Sequence, residues 1–386
     1  MKRIALWSAA WSAILSSPAQ SQGTIYRSAQ HDFRIVPVAE GFMNPWSMAF
    51  LPGGDILVTE RPGRLRIIRK GKLLEAPVAG VPAVVVRGQG GLLDVVAHPN
   101  FASNRLVYLS YSKPSGDSGG VATTAVARGR FENDRLTGVE DIFVAVTKGA
   151  PGHFGSRLAF DKSGFLFITV GDRMIPSTGD LAAHPAQSLS NHQGKVIRLQ
   201  DDGKVPADNP FVGKEGARPE IWSYGHRNSQ GMAVHPETGD VWAVEHGPQG
   251  GDELNHIRKG LNYGWPVVGY GVNYGSGSAI HSGTHKAGME QPAILWVPSI
   301  GVSGLLFYTG DQFPGWKGSA FVGGLSGDRL DRVTINGQKA ELADILFRRQ
   351  GRIRDVRQGP DGFIYLAIDG ESKPSSVVRL EPVARR

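Results

Sequence analysis

Arg227 and Asn228, in the run W-S-Y-G-H-R-N-S-Q-G-M-A-V, set a guanidinium fork beside an amide. Shortly after them, E-H-G-P-Q-G-G-D-E-L-N brings a Gly-Pro turn with free carbonyls, Gly247 and Pro248, and an acidic pair, Asp252 and Glu253. A planar guanidinium suits carboxylates, and backbone carbonyls supply the oxygen that calcium prefers. A strand-like run over 232–244 separates the two groups, which therefore stand at two ends of one structural unit and can converge on one anionic ligand held with a hard cation. His153, in P-G-H-F-G, is the candidate base, since an imidazole with an ordinary pKa of about 6.5 can take a hydroxyl proton at neutral pH. Asp172, in T-V-G-D-R, follows the next hairpin and can return to the far nitrogen of His153 or cap a turn. Gln89, in R-G-Q-G-G, and Arg352 with Arg354, in G-R-I-R-D, complete the polar set.

These residues need elements to bring them together. Six segments share one plan, an apolar strand, a turn rich in Pro, Asp or Gly, and an alternating apolar strand: 47–59, 92–110, 157–170, 232–244, 304–323 and 353–368. Period-two alternation around glycine turns predicts hairpins. A third strand of basic or polar alternation often follows, at 63–68, 195–199 and 376–380. The plan predicts an all-β fold, a six-bladed β-propeller with four-stranded antiparallel blades, in preference to a β-sandwich. Gln89, His153, Arg227 with Asn228, and Arg352 with Arg354 each lie just before a repeat. They enter at the equivalent edge of four blades, and the fold gathers them around one axis.

The 386 residues include 52 Gly, 24 Pro and no Cys, which suits many tight turns and excludes disulfides and thiolate metal sites. The net charge of +7 comes from interspersed charges of both signs, with no Lys/Arg block of the kind that binds nucleic acid. Lys2 and Arg3, an apolar stretch over 4–15 and small residues around Ala19 predict an export leader over 1–21 and a single propeller domain over 22–386. That apolar stretch is too short to span a bilayer, and no later segment is apolar enough, so a periplasmic or secreted protein with no membrane span is expected.

R-G-Q-G-G-L-L-D, G-H-F-G-S-R-L, G-H-R-N-S-Q-G, E-H-G-P-Q-G-G-D-E-L-N, N-Y-G-W-P and R-I-R-D-V, in that order, resemble the soluble pyrroloquinoline quinone (PQQ) dependent glucose and aldose sugar dehydrogenases, the aldose branch more closely. The resemblance runs over about 42–380 and implies a six-bladed propeller that oxidises aldose sugars at the anomeric carbon, with PQQ and Ca2+ as cofactors and an unidentified electron acceptor other than NAD. It implies His153 as the base, Asp172 as its orienting acid, and Gln89, Arg227, Asn228, Arg352 and Arg354 as cofactor contacts. It further implies the Gly247 and Pro248 carbonyls as ligands of the calcium that bridges protein and PQQ, and Glu253 with Tyr263 as a separate, structural calcium site. Ser326 stands where the family carries a cofactor-contacting lysine, with Arg329 and Lys317 as possible replacements, and Ser299 stands where the glucose branch has a hydroxyl contact. A calcium-dependent propeller hydrolase and a non-catalytic ligand-binding propeller are the alternatives; the first would want Asn, Asp and Glu side chains on a central ion, where this chain offers arginines.

Overall fold

The computed structural model describes residues 24–115, 121–370 and 375–384; the leader expected over 1–21 lies outside them. The strands form six antiparallel sheets, five of four strands and one of five, arranged as the blades of a propeller. The inner strands, in order, are Pro45–Phe50, Leu92–Ala97, Leu158–Phe160, Ser229–Val234, Val302–Phe307 and Arg352–Gln358. Each pairs with the next strand of the chain, and these six hairpins coincide with the six repeats of the sequence. The run over 232–244 is such a hairpin rather than one strand, its second strand being Val241–Glu245. Antiparallel pairing therefore returns the chain to the edge where it began, so Arg227 and Gly247 become neighbours instead of lying at opposite ends.

The sixth blade closes the ring. Its outer strands come from the other end of the chain, where Asp32–Phe42 pairs with Ser375–Val383 and Ile25–Arg27 adds a fifth strand. Helix is confined to one four-residue turn, Phe101–Asn104, and three short 3-10 turns among the described residues. No helix there is long and apolar enough to cross a membrane.

Apolar side chains from facing blades fill the space between sheets, as where Leu57, Leu65, Leu92, Val107 and Leu109 pack together from the first two blades. At the axis the filling changes character. Asp94, Arg157, Asp355 and Arg357 form a buried, charge-balanced layer: the Arg157 guanidinium donates to Asp94 (3.3 Å) and Asp355 (2.9 Å), and Arg357 to the same two carboxylates at 3.0 and 2.9 Å. Burying charges is tolerable only when they are paired and hydrogen-bonded, and here backbone amides of Met48 and Leu158 and the Ser47 hydroxyl supply the remaining donors. Four blades are thereby tied across the axis. One side of this layer opens on an apolar hollow lined by the later halves of the inner strands, Met48, Phe160, Met232 and Phe307 among them. A second cavity is lined by the chain neighbours of this layer, Leu93 and Arg354, with Gln89, Asn228 and Arg352.

Candidate functional site

His153 sits in the loop that leads into the third inner strand, and Asp172 follows the second strand of the same blade, Leu166–Val170. The hairpin brings them together: Nδ1 of His153 lies 2.7 Å from Oδ1 of Asp172. Close passage of the two segments is made possible by Gly171, where a Cβ would stand 2.1 Å from the His153 carbonyl oxygen. His153 itself adopts φ +46°, a left-handed conformation that side chains seldom take, and its N–H donates to Oε1 of Gln89 at 2.8 Å. Asp172 is otherwise saturated, receiving the Met174 N–H on Oδ1 and the Trp265 indole N–H on Oδ2, each at 2.8 Å.

Burial pushes the Asp172 carboxyl up, but the hydrogen bond and charge of His153 and the charge of Arg227 outweigh it and hold it below the usual range. For His153, burial is the largest influence and pushes the imidazole below its ordinary value, against the hydrogen bond and charge of Asp172 and with help from Arg227 and Arg173. A carboxylate can only accept, so Nδ1 carries the imidazole proton and Nε2 is left as the basic nitrogen. Nε2 makes no hydrogen bond among the described residues. The pair is an oriented base.

Next to Gln89, which accepts the His153 N–H, lies a cavity of 160 Å³ lined by Gln89, Asn228, Arg61, Arg352 and Arg354, with Trp46 and Leu325 as apolar walls and no carboxylate among the described residues. Arg354 makes no hydrogen bond or ion pair among the described residues. Burial, followed by the charge of Arg352, pushes its pKa down to about 10, with Asp369 opposing and Arg61 adding to the effect. Burying a guanidinium that no carboxylate meets directly, as at Arg354, is unfavourable unless an anion joins it. Asn228 accepts from Gly155 N–H (3.1 Å) and Gln230 (3.1 Å) through Oδ1, which turns its amide nitrogen to the other side.

Arg227 is placed differently from the other arginines. Its NH1 donates to the carbonyls of Gly247 (2.8 Å) and His246 (3.2 Å), its charge lies 5.1 Å over the Trp265 ring, and its Nε is buried without a partner. It lines a second, smaller cavity with Gly247, Pro248, Glu253 and His281, and His246 borders both spaces. The Pro248 carbonyl accepts from the Tyr274 hydroxyl at 3.0 Å. Each carbonyl keeps a second lone pair. The turn is wound so tightly that a Cβ on Gly247 would stand 2.3 Å from Gly251 O and 2.4 Å from Gly250 O, so two further carbonyl oxygens lie close to Gly247. That donor set fits calcium. Among the described residues no three His, Cys, Asp or Glu side chains gather to hold an ion, so carbonyls would carry the ligation.

The acidic pair separates in the structure. Asp252 is spent on backbone, accepting from Ile300, Gly301 and Val302 N–H and from Gly247 N–H, and so pins the fourth blade to the fifth. Glu253 faces Glu245 across the strands and is pushed up to about 8, first by burial and then by the Glu245 charge, with Asn255 opposing. A carboxyl so placed gains from a cation. The Tyr263 hydroxyl is turned away, bonded to Arg258 N–H (2.8 Å) and His256 O (2.5 Å), while its carbonyl accepts no hydrogen bond among the described residues and is the atom able to serve an ion. Neither replacement for the missing lysine reaches the cavity: Arg329 pairs with Asp331 at 2.5 Å and Lys317 with Asp311 at 2.9 Å on an exposed edge. Ser326 is exposed at the turn after Leu325, and Ser299 keeps a buried hydroxyl without a partner. Arg61, His246 and Trp265 were not singled out by sequence reasoning. His246 and Trp265 do stand inside E-H-G-P-Q-G-G-D-E-L-N and N-Y-G-W-P, which was the signal for those two.

Fold and site together define a class: a six-bladed propeller with arginines gathered at its hub near a hydrogen-bonded His–Asp pair. The chain belongs to the Glucose / Sorbosone dehydrogenase family, whose model matches residues 42–378. Aldose sugar dehydrogenase YliI of Escherichia coli (strain K12) is 47% identical over 336 residues, covering 85% of this chain and 88% of that one. The apo-form crystal structure of the soluble aldose sugar dehydrogenase from Escherichia coli superposes with a TM-score of 0.85 at 42% identity, over 91% of this chain and 100% of that one. The PQQ-bound form of aldose sugar dehydrogenase from Streptomyces coelicolor superposes at 0.75 with 27% identity, over 92% of this chain and 99% of that one.

Proposed function

We propose that the protein oxidises aldose sugars at the anomeric carbon to lactones, with PQQ and calcium bound at the hub. The observation that carries this reading is the His153–Asp172 pair, joined through Gln89 to a cavity that Arg61, Arg352 and Arg354 line. When bound, the quinone supplies a two-electron acceptor for hydride and the calcium a Lewis acid that favours the charge this creates. The chain's part is to bind and orient. Arg352 and Arg354 neutralise carboxylates, Asn228 and Gln89 supply directed amides, and the Gly247 and Pro248 carbonyls hold the ion, with Arg227 bracing the first of them. Trp46 and Leu325 exclude water from one side. Nε2 of His153 takes the anomeric hydroxyl proton as the hydride leaves carbon, and Asp172 stabilises the resulting imidazolium, assistance worth roughly 10² to 10⁴ in rate.

Glu253 and the Tyr263 carbonyl would hold a second, structural calcium. The basic surface suits an acidic redox partner as electron acceptor. Cleavage after about residue 21 would release a one-domain propeller over 22–386 to the periplasm or the exterior. Adding PQQ and calcium to purified protein and following dye reduction with a panel of aldoses tests the reading: turnover that needs both additions is expected, and aldose-independent or PQQ-independent behaviour contradicts it.

A further inference from the structure

Trp265 touches both halves of the site. Its indole N–H donates to Oδ2 of Asp172 at 2.8 Å, while the opposite carboxylate oxygen, Oδ1, receives the His153 ring at 2.7 Å. Its ring face lies 5.1 Å beneath the Arg227 guanidinium. The residue is buried and its own backbone is fixed at both ends, the N–H donating to Gly225 O (2.8 Å) and the carbonyl accepting from Gln187 Nε2 (2.7 Å). A carboxylate between two donors on opposite oxygens has one orientation, and the imidazole that follows it has one as well.

We propose that Trp265 is a positioning residue of the reaction: it clamps Asp172 so that His153 presents Nε2 toward the cavity, and it couples that base to the arginine bracing the Gly247 carbonyl. The inference rests on the role proposed for His153, and its test is read first in cofactor-free protein so that the two can fail separately. The groups that face His153 are Asp172, Arg227 and Arg173, and those that face Asp172 are His153, Arg227, Arg173 and His184. Of these, Arg227 and His184 also lie against the Trp265 ring. In Trp265→Phe the aromatic face over Arg227 is kept and only the donor is lost. Asp172 then holds its charge less well dispersed and becomes the stronger partner for an imidazolium. NMR titration of the His153 ring in the apo protein should move up by about one unit, the size expected when a hydrogen bond to a charged group is lost. In reconstituted enzyme kcat should fall about tenfold with its acidic limb displaced in the same direction, while KM and PQQ affinity hold. An unmoved His153 titration in folded Trp265→Phe overturns the proposal, whether or not turnover is affected. Should that variant not fold, Asp172→Asn replaces it: the Trp265 indole proton resonance should shift upfield as its acceptor loses charge, and an unchanged resonance is equally fatal.

Discussion

Two histidine–carboxylate pairs occupy equivalent places in neighbouring blades, and their difference is what the base proposed for one of them rests on. In each, the histidine precedes an inner strand and the carboxylate lies at the end of the next strand, with the same separation of 19 residues: His153 with Asp172, and His226 with Glu245. Both imidazoles donate or accept through Nδ1, at 2.7 and 3.0 Å. In the fourth blade, however, Nε2 of His226 is consumed by the Ser223 hydroxyl at 2.8 Å, its ring stacks on Tyr263 at 4.5 Å, and Glu245 also receives the Arg227 N–H and the Ser229 hydroxyl. Every polar atom has a partner, so the pair is a rivet. In the third blade Nε2 of His153 is left over beside a polar cavity. The same repeat unit leaves the second nitrogen satisfied in one blade and open in the other, as the base proposed for His153 requires.

The sharpest way to break this comparison is to delete each histidine. His153→Ala should lower kcat by roughly 10² to 10⁴ with PQQ titration unaltered; His226→Ala should instead lower stability by about 3–5 kcal/mol, because Glu245 is left buried with one partner fewer, and the folded remainder should turn over. Denaturant melts and single-turnover rates on both variants separate the two outcomes. Next in size is Arg354→Ala: losing one charge-assisted contact, worth about 1.5–3 kcal/mol, should weaken PQQ binding by about one to two decades with the melting point of the apo protein not reduced. Chelation of calcium should then lower the melting temperature of PQQ-loaded protein more than that of apo protein, since a ligand bound only by the native state stabilises by mass action.

The smallest effect is that of pH on stability. His153 titrates below its ordinary value when folded, so between about 6.5 and that lower value the unfolded chain holds a proton that the folded chain lacks. Stability should therefore fall as pH drops through this window. Asp172, also lowered, extends the loss to more acidic pH. His153→Ala should flatten the upper part of this slope, which urea midpoints at a series of pH values can show.

The inner hairpins were legible in the sequence because strand alternation and turn residues are local signals, and one glance at 157–170 or 353–368 carries both. The outer strands were not. Arg135–Val144 and Lys339–Phe347 face solvent along much of their length and pair through shifted registers, so neither hydrophobicity nor alternation marks them. Closure of the sixth blade by Asp32–Phe42 joins residues from opposite ends of the chain and leaves no local trace. The site divides the same way. His153 and Asp172 could be paired because one hairpin joins them, whereas Trp265 reaches Asp172 across 93 residues and Tyr274 reaches Pro248 through a surface loop. The position of Arg227 before a strand suggested the arginine-lined cavity, whereas its guanidinium turns to the Gly247 carbonyl and lines the smaller cavity, a rotamer that only the folded turn dictates.

The central claim is that the arginine-rimmed hub is a polyanion cradle set against a free imidazole nitrogen. Calorimetric titration of apo protein with PQQ in the presence of calcium tests it most directly, with wild type, Arg354→Ala and His153→Ala compared side by side. The account predicts one saturable site, weakened by the arginine substitution and indifferent to the histidine one; no binding, or equal binding by wild type and Arg354→Ala, would contradict it.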